Sequence, residues 1–283
     1  MEPRSQRPYV CGQGRRMWFF FCFARDERED MKNFYLVDSQ EQLFNYQQFV
    51  SKYEAKWHDY IHFLRKEYQV RDLPQALIWA NEEAARKLLG QSPVPAYTND
   101  IRMVMTPDLA VWKKIYQHQL DSYEDSPDLQ TLSAHYKGLS ENHLLQIIGH
   151  ELAHWSDLFL DDFADYDANI WFEEGMVEYI SRQYFLTEEE FAQERFCNQL
   201  LVDLFHEKHG WHSLDTFGKS TYEGDYASIF YEYWRSFLTI DQLVEKVGSV
   251  QALFETYHKW AQSNQSISLL NWFVQEELLE KEI

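Results

Sequence analysis

Apolar residues recur at helical spacing through most of this chain. Leu43, Phe44, Phe49, Val50, Tyr53, Trp57, Tyr60, Ile61 and Leu64 predict a long helix over 40–68. A second helix is predicted over 74–89, stopped by Gly90. Residues 91–99, with Pro93 and Pro95, read as loop. The apolar stretch from Ile101 to Met105 predicts a strand ended by Pro107, and 108–120 a further helix. Residues 121–128 read as an acidic loop and 131–136 as a short edge strand. Helices follow near 141–159, 170–185, 188–209, 226–246, 250–262 and 267–281. A second acidic loop covers 161–167; it lacks the Gly and terminal Glu of a calcium loop and reads as solvated. The pattern predicts an α+β fold, mostly helical, with a small sheet ahead of the helix at 141–159. Residues 31–283 form one expected domain, divided near 138/139 into a helical and small-sheet part and a helical part.

That helix carries the densest chemistry. Its apolar stripe is Leu144, Leu145, Ile147, Ile148, Leu152, Trp155 and Leu158, and Ser140 is a suitable N-cap. Within it, His150-Glu151-Leu152-Ala153-His154 reads H-E-x-x-H. Histidines at i and i+4 share one helix face, so both can bind one zinc ion at about 2.0–2.1 Å. Glu151 follows the first histidine and can serve as general base toward a metal-activated water. A chance match on an ordinary helix is the bland alternative, and the buried, capped helix argues against it.

Catalytic zinc takes three protein ligands and keeps a fourth position open. Downstream lies Trp171-Phe172-Glu173-Glu174-Gly175-Met176-Val177-Glu178. With H-E-x-x-H before it, this stretch resembles the gluzincins, the thermolysin-like and aminopeptidase-like zinc peptidases, whose third ligand is a Glu in a W-x-x-E-G context. The resemblance places that ligand on Glu174, with Glu173 as its rival, and suggests Glu178 as the carboxylate behind a ligand histidine. It implies a thermolysin-like zincin core, a mixed sheet preceding the active-site helix and a C-terminal helical lobe. It further implies zinc-dependent hydrolysis of peptide bonds in a peptide or protein substrate. A stretch from Ser220 to Tyr231 is similar to the tyrosine-bearing segment of aminopeptidase-type gluzincins, which puts an oxyanion donor on Tyr222 or Tyr226. His206, His209 and His212 are further donor candidates, with a helix-end role as the alternative. The G-x-M-E-N element of the aminopeptidases is absent, so endo- or exopeptidase action stays open. A metzincin would need Gly and His where Asp157 and Leu160 stand. A non-catalytic, zinc-stabilised binding or regulatory protein is the alternative reading.

Composition narrows the setting. The chain has 283 residues, 45% hydrophobic and 17% aromatic, enough for a substantial core. Lys and Arg number 26 against 46 Asp and Glu, and 26 − 46 gives −20. That charge disfavours nucleic acid and anionic membrane surfaces as partners. Cys11, Cys22 and Cys197 do not form a disulfide framework, which fits a reducing, cytoplasmic setting. Residues 1–30 read as a poorly defined arm. Its apolar run at 17–24 is too short to span a bilayer and lacks a signal-peptide cleavage site, and Met31 also reads as a natural start. The sequence leaves oligomeric state open.

Overall fold

Four short strands form one sheet: β1 (Lys32–Leu36), β2 (Ala76–Ala80), β3 (Ala96–Thr98) and β4 (Arg102–Met105). The computed structural model describes residues 31–90, 93–160, 169–263 and 266–281. The expected arm at 1–30, with its apolar run at 17–24, and the acidic loop at 161–167 lie outside the described residues. The strand order is β1-β2-β4-β3. β1 and β2 pair in parallel, as do β2 and β4, while β3 runs antiparallel to β4 at the sheet's end. Phe34 stands opposite Ile78, and Ile78 opposite Val104.

A parallel pair needs a crossover, and α1 (Gln40–Tyr68) supplies it between β1 and β2. Ser39 caps α1 by accepting from the Gln42 amide, and Gln69 ends it in the left-handed region at φ 53°. Its buried face meets the sheet through Trp57, stacked on Trp79 at 5.3 Å, and through Phe49.

Two predicted elements are corrected. The helix expected over 74–89 is instead β2 followed by a π-helical turn at Ala84–Gly90. β2 is the apolar run Ala-Leu-Ile-Trp-Ala, flanked by strands on both sides; periodicity cannot separate such a run from a buried helix. The edge strand expected at 131–136 lies within helix α3 (Pro127–Gly138). Ser126 caps α3 by accepting from Leu129, and Pro127 starts it, an N-terminal signal that outweighs the local alternation. β1 and β3, absent from the sequence reading, complete the small mixed sheet.

The remaining helices are α2 (Leu109–His118), α4 (Glu141–Ala153), α5 (Ile170–Phe185), α6 (Glu188–His209), α7 (Tyr226–Val247), α8 (Val250–Gln262) and α9 (Leu269–Gln275). α4 stops short of the predicted 159. Ser156 leaves the helix because its backbone bridges Val70 and its hydroxyl donates to the Tyr68 carbonyl at 2.6 Å. α5 packs between α4 and α7. Both approaches pass over glycine. A Cβ on Gly149 of α4 would sit 2.5 Å from the Phe185 ring, and one on Gly175 of α5 would sit 2.6 Å from the Ser236 carbonyl. The mostly helical α+β architecture agrees with the sequence reading. Among the described residues no helix is long and apolar enough to cross a membrane.

Candidate metal centre

α4 begins with a capping box in which Ser140 and His143 satisfy one another's backbone amides. From Leu144 to Ala153 every residue is buried. His154, at the C-cap, keeps right-handed helical angles, so the i, i+4 relation to His150 survives the early helix end. The two rings stand 5.0 Å apart between centroids, and their Nε2 atoms are 3.2 Å apart.

α5 delivers the carboxylates. Glu174 Oε2 lies 3.2 Å from His150 Nε2 and 3.6 Å from His154 Nε2. Glu173 points elsewhere: its Oε1 is 2.7 Å from His154 Nδ1. Glu178 Oε1 lies 3.0 Å from His150 Nδ1. His154 Nδ1 thus hydrogen-bonds Glu173, and His150 Nδ1 has Glu178 within ion-pair distance but outside hydrogen-bond geometry; in both rings a carboxylate beside Nδ1 favours the neutral tautomer with its proton there and Nε2 as a lone pair. The structure therefore gives Glu174 the place between the two Nε2 atoms and Glu173 and Glu178 the places behind the rings.

With the rings neutral and protonated on Nδ1, as metal binding requires, three acceptor atoms converge with no donor between them. Glu174 Oε2 is fully enclosed and has no hydrogen-bond partner. Ligand atoms at 2.0–2.1 Å in a tetrahedron stand about 3.3–3.4 Å apart, and the three observed separations bracket that spacing. His150, His154 and Glu174 are thus placed to hold a metal ion.

The electrostatics agree. Burial pushes His150 down, yet Glu174 and Glu178 carry it up to about 9. His154 rises well above its ordinary value through Glu174 and Glu173, against the same burial. Burial opposes ionisation of Glu174, but the imidazolium charges hold it well below the usual carboxylate range. Four carboxylates, Glu151, Glu173, Glu174 and Glu178, surround two imidazoles, so with carboxylates alone for company the rings cling to protons. Glu151 is buried at 7% exposure, and desolvation raises its carboxyl to about 7.

Tyr222 joins this layer. It lies in the 3₁₀ turn Lys219–Glu223, and its hydroxyl donates to Glu174 Oε1 at 3.4 Å. Tyr226 does not join it: its hydroxyl donates to the Pro93 carbonyl at 2.9 Å, and its ring stacks on Phe230. His206 bonds the Tyr231 hydroxyl, His212 bonds Glu232, and His209 packs on Phe205. Tyr233 was not legible from the sequence. Its hydroxyl is 2.9 Å from that of Tyr222, and its ring lies 6.1 Å from His150. The only sequence signal was its place in an aromatic helical run, which reads as core.

β3 is the strand beside α4, and the Trp155 indole donates to Thr98 Oγ1 at 3.0 Å. The sheet edge nearest the candidate centre is therefore 96–98, not 131–136. No protein-family model, curated protein sequence or solved structure matches this chain.

Proposed function

We propose that the chain is a zinc-dependent peptidase of gluzincin type with a thermolysin-like core. The observation that carries the reading is the convergence of His150 Nε2, His154 Nε2 and Glu174 Oε2 at 3.2–3.6 Å. Two imidazoles, one carboxylate and a buried Glu next to the first ligand are the donor set and base of catalytic zinc hydrolases. Held by His150, His154 and Glu174, zinc supplies Lewis acidity toward the scissile carbonyl and lowers the pKa of a water.

The chain's own residues do the rest. Glu151 accepts a proton from the attacking water and returns it to the leaving amine as the C–N bond breaks. Burial favours the protonated form of this carboxyl, the form that returns the proton. Tyr222, whose hydroxyl reaches Glu174 Oε1, would donate to the oxyanion by turning its one proton from that carboxylate. Glu173 and Glu178 hold the two rings with Nε2 facing inward. β3, the end strand beside α4, offers a backbone along which an extended peptide can align by strand addition. The net charge of −20 favours peptides over nucleic acid or anionic membrane as partners.

The test is metal content and turnover together. Wild type purified without chelators should carry about one zinc per chain, Glu174→Ala much less, and Glu151→Gln the full amount with no hydrolysis of a peptide library. Wild type without zinc after reconstitution, or full activity in Glu151→Gln, removes the reading.

A further inference from the structure

A second buried cluster lies behind the first. His135 on α3, His143 on α4 and Glu194 on α6 bring two ring nitrogens and a carboxylate oxygen within 4.8 Å of one another. The residue types repeat those of the candidate metal centre. The protons do not. His143 Nδ1 accepts the Ser140 backbone N–H at 3.2 Å, as part of the capping box that starts α4. Its proton therefore sits on Nε2, which donates to Glu194 Oε1 at 3.1 Å. His135 Nε2 approaches the same oxygen at 2.8 Å. At His143 the cluster presents a proton where the metal centre presents a lone pair, so no metal ligand is free there.

The other Glu194 oxygen faces a cation. Arg182 Nη1 is 3.7 Å from Glu194 Oε2, and Asn198 Nδ2 is 3.5 Å from it. Arg182 is 2% exposed. Its guanidinium lies over the Phe237 ring at 4.1 Å and the Trp234 ring at 5.0 Å, which fix its plane. On its far side Arg182 Nε forms an ion pair with Glu178 Oε2 at 2.8 Å, and that oxygen accepts a hydrogen bond from Gln146. Glu178 Oε1 is the atom behind His150 Nδ1, at 3.0 Å. One buried cation thus stands between two buried carboxylates, and the line runs His135 and His143, Glu194, Arg182, Glu178, His150. A buried carboxylate that loses its cation is costly, so without Arg182 Glu178 would be left to Gln146 and His150 and would be held less firmly.

We propose that Arg182 is a positioning residue for the metal ligand His150, acting through Glu178, and that the His135–His143–Glu194 cluster is the anchor of Arg182 rather than a second metal site. This rests on the metal-centre reading above. It concerns metal affinity and ligand geometry, and so is measurable without turnover.

The experiment is zinc competition against a chromophoric chelator, with cobalt absorption spectra, on metal-stripped wild type, Arg182→Lys, Glu194→Gln, Glu178→Gln and the Arg182→Lys/Glu178→Gln double variant. Lysine keeps the charge but cannot bridge both carboxylates. Loss of a partner behind a ligand costs about 10–100-fold in metal affinity. Arg182→Lys should weaken zinc by about 10-fold and shift the cobalt bands, with no further loss in the double variant. Glu194→Gln should act in the same direction, and it carries the test if Arg182→Lys does not fold. Wild-type affinity and spectrum in the folded variants overturn the proposal, as do losses that multiply in the double variant. A second zinc per wild-type chain, lost in Glu194→Gln, also overturns it. Absence of zinc in wild type instead overturns the metal-centre reading itself.

Discussion

Tyr222 and Tyr226 stand four positions apart, yet only one reaches the centre. The difference is where the 3₁₀ turn Lys219–Glu223 ends and α7 begins, which turns the Tyr222 hydroxyl toward Glu174 and the Tyr226 hydroxyl toward Pro93. On the proposed mechanism Tyr222→Phe should lower kcat by about 10²–10³ with KM and zinc content little changed, the size of losing one oxyanion donor. Tyr226→Phe should leave kcat near wild type. Steady-state kinetics on both variants decide this, and equal losses would strip Tyr222 of the role. The spacing of His150, Glu151 and His154 was legible because a helix turn fixes it locally. The rank of Glu174 over Glu173 was legible only through resemblance; packing of α5 on α4 supplies the physical reason. Tyr233, Arg182 and Glu194 were not legible, because their partners are distant in sequence and each has an ordinary core or surface reading by composition.

At the scale of elements, the Ser140 cap and the strand β4 were readable, while the short strands β1, β2 and β3 were not. Ser140, Thr187 and Asp225 all accept from backbone amides in the first turns of their helices. β2 and β3 lack the length or alternation that would mark them, and at 131–136 the Ser126-Pro127 helix start outranks the local alternation. Gly175 shows what helix packing asks of one position. It sits beside Glu174, a candidate ligand, and an added Cβ would meet the Ser236 carbonyl and Ile240 Cγ1, each at 2.6 Å. A backbone carbonyl cannot rotate away, so α5 and α7 must part. Gly175→Ala should cost about 1–3 kcal/mol, a fall of several degrees in Tm, and should weaken zinc retention as Glu174 moves. Calorimetry showing an unchanged Tm would mean that the helices do not meet there.

The whole molecule carries a charge of −20 and buries a layer of carboxylates in its interior. Without a metal ion, protons on the imidazoles are what offset that layer. His150 titrates near 9 in the folded chain against about 6.5 unfolded, a raised value. Its contribution to stability is therefore complete below about pH 6.5 and lost as pH climbs through 9. Glu151, raised to about 7, works in the same direction from about pH 4.5 to 7. The chelator-treated protein should melt at falling temperature from pH 6 to 9.5, and zinc-loaded protein should lose less over that range. A flat or rising profile for the stripped protein would contradict the electrostatic picture of the centre.

The adjacency of α4 and α5 in sequence bears on how the chain assembles. His150 and Glu174 are 174 − 150 = 24 positions apart, so joining them closes a short loop with a small entropic penalty. The sheet is different: β1 must find β2 across the whole of α1, a pairing that is slow to form. A metal ion captured by the two helices would then act as an early clasp. It would fasten the middle of a nascent chain before strand pairing is complete, and the candidate metal centre would double as a folding nucleus.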